Sequence, residues 1–162
     1  MKPSLVLIVL FFSISFGFSQ TQEKIYNPEA NAESDLQNTL LIAKNEKKQV
    51  LIQVGGNWCK WCLRFNKFCK ENPKIDSALK ANYVVLHINY SKENKNIEVM
   101  KKLEFPQRFG FPVFLVLDAK GNRLHTQDSG FLESGEGYSE EKVLTFLKNW
   151  TVETLNPENY LK

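Results

Sequence analysis

Val50-Leu51-Ile52-Gln53-Val54-Gly55-Gly56-Asn57-Trp58-Cys59-Lys60-Trp61-Cys62 is the stretch of this 162-residue chain that decides its fold. Val50 to Val54 is a short, largely apolar run and predicts a buried strand. Gly55-Gly56-Asn57 has turn chemistry, and a helix is expected from about Cys59. The strand thus delivers a C-x-x-C pair onto a helix N-terminus, which points to dithiol–disulfide chemistry. Exchange needs a thiolate, and a free thiol with a pKa near ~8.5 is mostly protonated at neutral pH. Unsatisfied N–H groups and the positive end of the helix dipole favour the anion at Cys59. Cys59 is therefore expected to be the exposed attacking thiol. Cys62, one turn further on, is expected to be buried and to resolve the mixed disulfide. Lys60 either adds a positive charge beside the pair or is simply a solvated side chain.

The pattern on either side is that of one domain. Ser34 followed by Gln37 reads as a capping box for a helix ending near Lys47, with Leu36, Leu40 and Leu41 as its apolar stripe. The cysteine helix should stop at Asn72-Pro73, where a second short helix begins and runs to about Ala81. Tyr83 to Tyr90 is rich in β-formers, so strand, helix and strand make a right-handed parallel βαβ unit. Ile97 to Leu103 is a short amphipathic helix and Val113 to Leu117 another apolar strand. Asp118 to Asn122 has hairpin-turn chemistry, returning through Arg123 to Gln127. Gly130 to Gly137 reads as a loop, and Ser139 caps a last helix through Trp150. The fold class that follows is α/β, a mixed central sheet with helices on both faces.

The N-terminal end carries a targeting pattern. Lys2 is basic, Leu5 to Phe12 is unbroken apolar sequence, and Gly17 and Ser19 are small residues before Gln20. This predicts a secretory signal peptide over residues 1–19, an irregular arm over 20–33 and the folded domain over 34–162. The apolar stretch from Leu5 to Phe18 is shorter than the roughly 20 residues of a membrane helix, so no stable membrane insertion is expected. Loss of Lys2 takes the formal charge from +3 to +2, too small to imply nucleic acid. The expected setting is outside the cytoplasm, periplasmic or secreted, where disulfides persist. All three cysteines (59, 62 and 69) lie beyond the leader. A two-residue gap closes too small a loop for Cys59–Cys62 to act mainly as a staple.

Several other chemistries are excluded. Leu63 follows Cys62 where c-type haem attachment requires His. A closed zinc site needs four ligands, and beyond the cysteines only the distant His87 and His125 are available, so neither metal nor cofactor is expected. Cys69 shares a helix face with Cys62 and Phe65 and reads as a buried inert thiol, or else as a second resolving or intermolecular cysteine. Trp58 and Trp61 frame the pair, either as an apolar platform for a client or as a shield over the disulfide. Pro112 reads as a strand-initiating proline or as the second residue of a cis peptide.

Trp58-Cys59-Lys60-Trp61-Cys62 at a strand-to-helix turn, with Gly110-Phe111-Pro112-Val113-Phe114 ahead of the hairpin, resembles the thioredoxin-fold proteins. The resemblance spans about residues 50–150. Within that superfamily it is similar to exported thioredoxin-like proteins and to the periplasmic thioredoxin-like domain of transmembrane disulfide reductases. It implies a cis Phe111–Pro112 bond beside the cysteines, with the Phe111 backbone free to pair with a client strand. It implies a protein-disulfide oxidoreductase with Cys59 and Cys62 as catalytic residues and Trp58, Lys60, Trp61, Phe111 and Pro112 as client-binding ones. Its partners would be client protein thiols or disulfides and an extracytoplasmic electron donor or acceptor. Analogy favours reduction; an oxidant or isomerase, or a non-catalytic binding module, are the alternatives. One departure stands out. The family places a buried aspartate six residues before the first cysteine, and here that position is Gln53, which cannot accept a proton. Glu71 and Glu104 are the nearest acidic candidates by sequence.

Overall fold

The computed structural model describes residues 24–161, so the expected leader and its cleavage site lie outside the described residues. The first helix, α1 (Ala32–Glu46), begins three residues before the start that a Ser34 cap implies. Its cap is Asn31, whose side chain accepts from the Ser34 N–H, so Ser34 is the residue being capped. Strand β1 (Gln49–Gly55) follows, then α2 (Lys60–Glu71), α3 (Pro73–Asn82) and β2 (Tyr83–Asn89). The short α4 (Ile97–Lys102) leads to β3 (Val113–Leu117) and β4 (Arg123–Asp128). A two-stranded ribbon, β5 (Glu133–Ser134) with β6 (Gly137–Tyr138), occupies the expected glycine loop, and α5 (Glu140–Asn149) follows.

The sheet order is β2-β1-β3-β4. β1 runs parallel to β2 and antiparallel to β3, and β3 pairs antiparallel with β4. The sheet is therefore mixed, as its connections require: a helical crossover joins β1 to β2, a tight turn joins β3 to β4. Because side chains alternate along a strand, Val50, Ile52 and Val54 face one layer and Leu51 and Gln53 the other. The first layer packs with Leu36 and Ala43 of α1 and Val99 and Met100 of α4. The second packs with Phe65 of α2, Ile75 of α3 and Val143, Phe146 and Leu147 of α5. Central strands covered on both faces need apolar residues on both, hence the continuous runs at Val50–Ile52 and Val113–Leu117.

Asn72 settles the corner between α2 and α3. It ends one helix and caps the next, accepting from Lys74 and Ile75, with Pro73 at the first helical position. Its Nδ2 and the Lys74 Nζ each donate at 2.7 Å to Glu140, tying α3 to the start of α5. That corner holds the far end of α2 while the near end meets the sheet at Gly55.

Candidate active site

The cysteine pair sits where β1 hands over to α2. Cys59 is the N-cap of α2, and its sulfur accepts the Cys62 N–H at 3.1 Å. The two are joined as a disulfide with their Cα atoms 5.3 Å apart. Cys62 is 0% exposed and Cys59 only 5%. The expected order of accessibility holds, but the expected exposed Cys59 does not. Tyr26, Ile25, Trp61 and Phe111 pack around the pair and leave Cys59 a narrow opening.

One side of that opening is aromatic and open. Trp58 is 57% exposed, with its Nε1–H donating to the Tyr90 carbonyl at 2.8 Å. Phe111 lies edge-on to Trp58 at 5.3 Å and against Tyr90 at 5.1 Å. The Phe111–Pro112 peptide bond is cis. Beside this group a cleft of about 500 Å³ is lined by Trp58, Tyr90, Ser91, Lys92, Glu93 and Lys95. Lys60 is solvent-exposed.

The other side is walled. Trp61 is half-buried, edge-on to Tyr138 of β6 at 5.5 Å, and its carbonyl accepts from the Tyr138 hydroxyl. The Arg64 guanidinium lies 4.7 Å from the Trp61 ring centroid and donates to the Glu136 carbonyl. The ribbon thus grips Trp61 by ring, cation and backbone. Trp58 and Trp61 frame the pair unequally: Trp58 faces solvent, while Trp61 belongs to the wall.

Beneath the pair lies a residue the sequence did not announce. Tyr26 is 2% exposed and packs against the cysteine pair from the irregular segment before α1. Asn57, in the turn ahead of the motif, holds it by the backbone. Its Oδ1 accepts from the Ile25 and Tyr26 N–H groups, and its Nδ2 donates to the Tyr26 carbonyl at 2.7 Å. Gln53 holds it by the side chain, donating to Tyr26 Oη at 2.7 Å and to the Cys62 carbonyl at 3.1 Å. Burial pushes the Tyr26 phenol far above the usual tyrosine range, so it stays protonated. Gly55 makes this approach feasible: a Cβ there would lie against Cys62 Sγ and 2.7 Å from Tyr26 Oη.

The remaining candidates stand apart from the sulfurs. Cys69 is buried, and burial, with Asp76 nearby, pushes its thiol up to about 12, so it is inert at neutral pH. His87 pairs across β1 and β2 with Gln53 and lies edge-on to Tyr26 at 5.5 Å. Its burial, then Lys70, lowers its pKa below the usual histidine value. His125 stacks on Trp150 at 4.4 Å, on β4. Glu71 pairs with Lys67 near the far end of α2, and Glu104 pairs with Arg123. Neither takes the place of the buried acid; the groups actually beside Cys62 are the Gln53 amide and the Tyr26 phenol.

A disulfide at a helix N-terminus, with one sulfur nearer solvent and one enclosed, is suited to thiol–disulfide exchange. The comparisons agree. A model of the thioredoxin-like family matches residues 31–119, more than half of the chain. Thiol:disulfide interchange protein DsbD of Vibrio vulnificus is 29% identical over 126 residues, 76% of this chain and 20% of that protein. The protein of the same name from Escherichia coli K12 is 27% identical over 119 residues, 72% of this chain and 20% of that one. The chain spans about a fifth of the length of these curated relatives. Among solved structures, a disulphide isomerase from Xylella fastidiosa has a TM-score of 0.69 at 23% identity, covering 78% of this chain and 96% of that one. A thioredoxin from Thermus thermophilus has a TM-score of 0.55 at 17% identity, covering 83% and 91%. Among the described residues no helix is long and apolar enough to cross a membrane. By family match, fold and cysteine pair, the chain belongs to the thioredoxin-like family of disulfide oxidoreductases.

Proposed function

We propose that the protein is exported and reduces disulfides of client proteins outside the cytoplasm. Residues 1–19 act as its leader, and the working domain, expected from residue 34, takes in Tyr26 and the start of α1 ahead of it. The observation that carries this reading is the asymmetry of the pair. Cys59 caps α2 at the mouth of the opening, and Cys62 lies sealed behind it. In the reduced protein the Cys59 thiolate attacks a client disulfide, forming a Cys59–client bond and releasing one client thiolate. Cys62 then attacks Cys59, closing the internal disulfide and releasing the second client thiolate. The two electrons come from the dithiol, which an extracytoplasmic partner must restore. The client lies across Trp58, Phe111 and Pro112, with Lys60 and Trp61 at its margin. Among the described residues the Phe111 backbone has no hydrogen-bond partner, which suits it to pairing with an extended segment.

Cys62→Ser protein incubated with an extracytoplasmic extract should accumulate mixed disulfides on Cys59. No trapping, with a wild-type disulfide that resists dithiothreitol, would leave a binding module instead. The reduction potential against glutathione tests direction: a value near about −270 mV supports reduction, and one near about −120 mV overturns it in favour of oxidation.

A further inference from the structure

The two sulfurs differ in what can stabilise their anions. Cys59 stands at the start of α2, where free N–H groups face it. Cys62 is already inside the helix and sealed from solvent, and among the described residues no N–H reaches its sulfur. A buried thiolate with no donor is strongly disfavoured. Yet the resolving step, on the exchange reading above, requires Cys62 to become one.

Of the two polar groups beside Cys62, the Gln53 amide already gives its N–H groups to Tyr26 Oη and the Cys62 carbonyl, which leaves the Tyr26 hydroxyl. Its oxygen already accepts the Gln53 amide N–H, and among the described residues its own proton has no acceptor. It is fixed at both ends, by Gln53 at the oxygen and Asn57 at the backbone. It also crowds the same point beside Gly55 that Cys62 Sγ does. We infer that the Tyr26 O–H is the hydrogen-bond donor to Cys62 Sγ when the internal disulfide is open, which makes Tyr26 a catalytic residue of the resolving step. The balance is simple. Tyr26 keeps its own proton and shares it with the Cys62 thiolate, and the proton that Cys62 gives up is regained by the client thiolate once it has left. The Cys62–Cys59 bond forms as the Cys59–client bond breaks, and the client leaves as a thiolate carrying the electron pair. Gln53 is no proton acceptor here; it aims the phenol.

The other titratable groups around the pair do not compete for this role. His87 of β2 meets the Tyr26 ring edge-on, and burial with Lys70 nearby keeps it uncharged at neutral pH and above. The Tyr138 hydroxyl of β6 donates to the Trp61 carbonyl. Cys69 of α2, held up to about 12, stays protonated throughout.

The test reads the Cys62 midpoint directly, in the full chain labelled with carbon-13 cysteine and followed by NMR against pH. A Cys59→Ser background keeps the helix cap and leaves Cys62 as the thiol titrating below Cys69. Adding Tyr26→Phe should raise the Cys62 midpoint by about one pH unit or more, a tenfold loss of thiolate below the midpoint. Replacing Tyr26 by 3-fluorotyrosine, which keeps ring and hydroxyl but is a stronger donor, should lower it. Coincident midpoints in the three proteins overturn the assignment, and so does a 3-fluorotyrosine shift in the same direction as Tyr26→Phe. Because these proteins lack Cys59 and cannot exchange, such a result leaves the exchange reading untouched. A shifted midpoint alongside a wild-type protein that neither reduces nor forms disulfides would instead overturn exchange and keep the donor.

Discussion

Gly55→Ala tests the packing beneath the redox pair most directly. The backbone at Gly55 is not in the left-handed region, so the whole effect of an added methyl is steric. That methyl would lie against Cys62 Sγ, 2.7 Å from Tyr26 Oη and 3.2 Å from Tyr26 Cζ. Ordinary contact needs several tenths of an ångström more, and neither neighbour is free to give it. Cys62 is fixed by the disulfide and by α2, and Tyr26 by Gln53 and Asn57. Overpacking of this kind costs about 1–3 kcal/mol. If the phenol retreats, its 2.7 Å bond from Gln53 is lost for about another 1 kcal/mol. Restricting the unfolded chain returns roughly 0.4–1 kcal/mol. The net expectation is about 2–3 kcal/mol, or a melting temperature lower by about 5–10 °C for a chain of this size. Thermal unfolding of the oxidised protein measures it. Gly137→Ala, whose methyl would meet nothing within 4 Å, is the control and should change stability by less than about 0.5 kcal/mol. Tyr26→Phe in the Gly55→Ala background should recover about 1 kcal/mol as a coupling term, since the closest oxygen is gone. A Gly55→Ala protein that melts with the wild type would refute the close approach of Tyr26 and Cys62, and with it the donor geometry.

Other consequences are as open to measurement. Trp58→Ala removes an exposed ring and one bond to the Tyr90 carbonyl, so it should lower kcat/KM for client reduction while changing stability by no more than about 1 kcal/mol. Cys69 should resist alkylation at pH 8 in the native protein and react only on unfolding; fast native labelling detected by mass spectrometry would contradict its burial and raised pKa. His87 is neutral in both folded and unfolded states above about pH 6.5, and below that the unfolded chain takes up a proton that the folded one resists. Stability should therefore fall as the pH drops below about 6.5, and urea titrations of His87→Gln should show a shallower fall over that window.

The elements that carry the sheet are legible in the sequence because burial on both faces leaves apolar runs, as at Val113–Leu117. The cysteine pair and Pro112 are legible because each constrains its local backbone. Tyr26 is not. It sits in a polar stretch with no periodicity, and the residues that bury it lie 27 and 31 positions away, at Gln53 and Asn57. Nothing local marks a tyrosine as a floor beneath a redox centre. Asn57 is read as a turn residue and is one, but its side chain works on the N-terminal segment. The ribbon of β5 and β6 escapes because two residues per strand give no alternation to detect. The burial of Cys59 escapes for a related reason: the dipole argument concerns the charge at a helix start, whereas exposure is decided by Phe111 and Tyr26 arriving from elsewhere. Ser34 and Asn31 show the smaller version of the same limit, two plausible caps of which the earlier one makes the bond.

The Asn57 clamp fixes where the N-terminal end of the described chain leaves the domain. Ile25 is fastened beside the turn that leads into the motif, so anything attached upstream is tethered at the catalytic rim. Val152 and Leu155 instead line a cleft with Lys47, Lys48, Asp118 and Lys120, where β1 begins and β3 ends, the opposite pole of the sheet. An affinity tag, a fluorophore or a surface linker placed before residue 24 would crowd the approach to Cys59. The same addition after residue 161 would leave that face clear, so immobilisation through the C-terminus presents the redox centre outward.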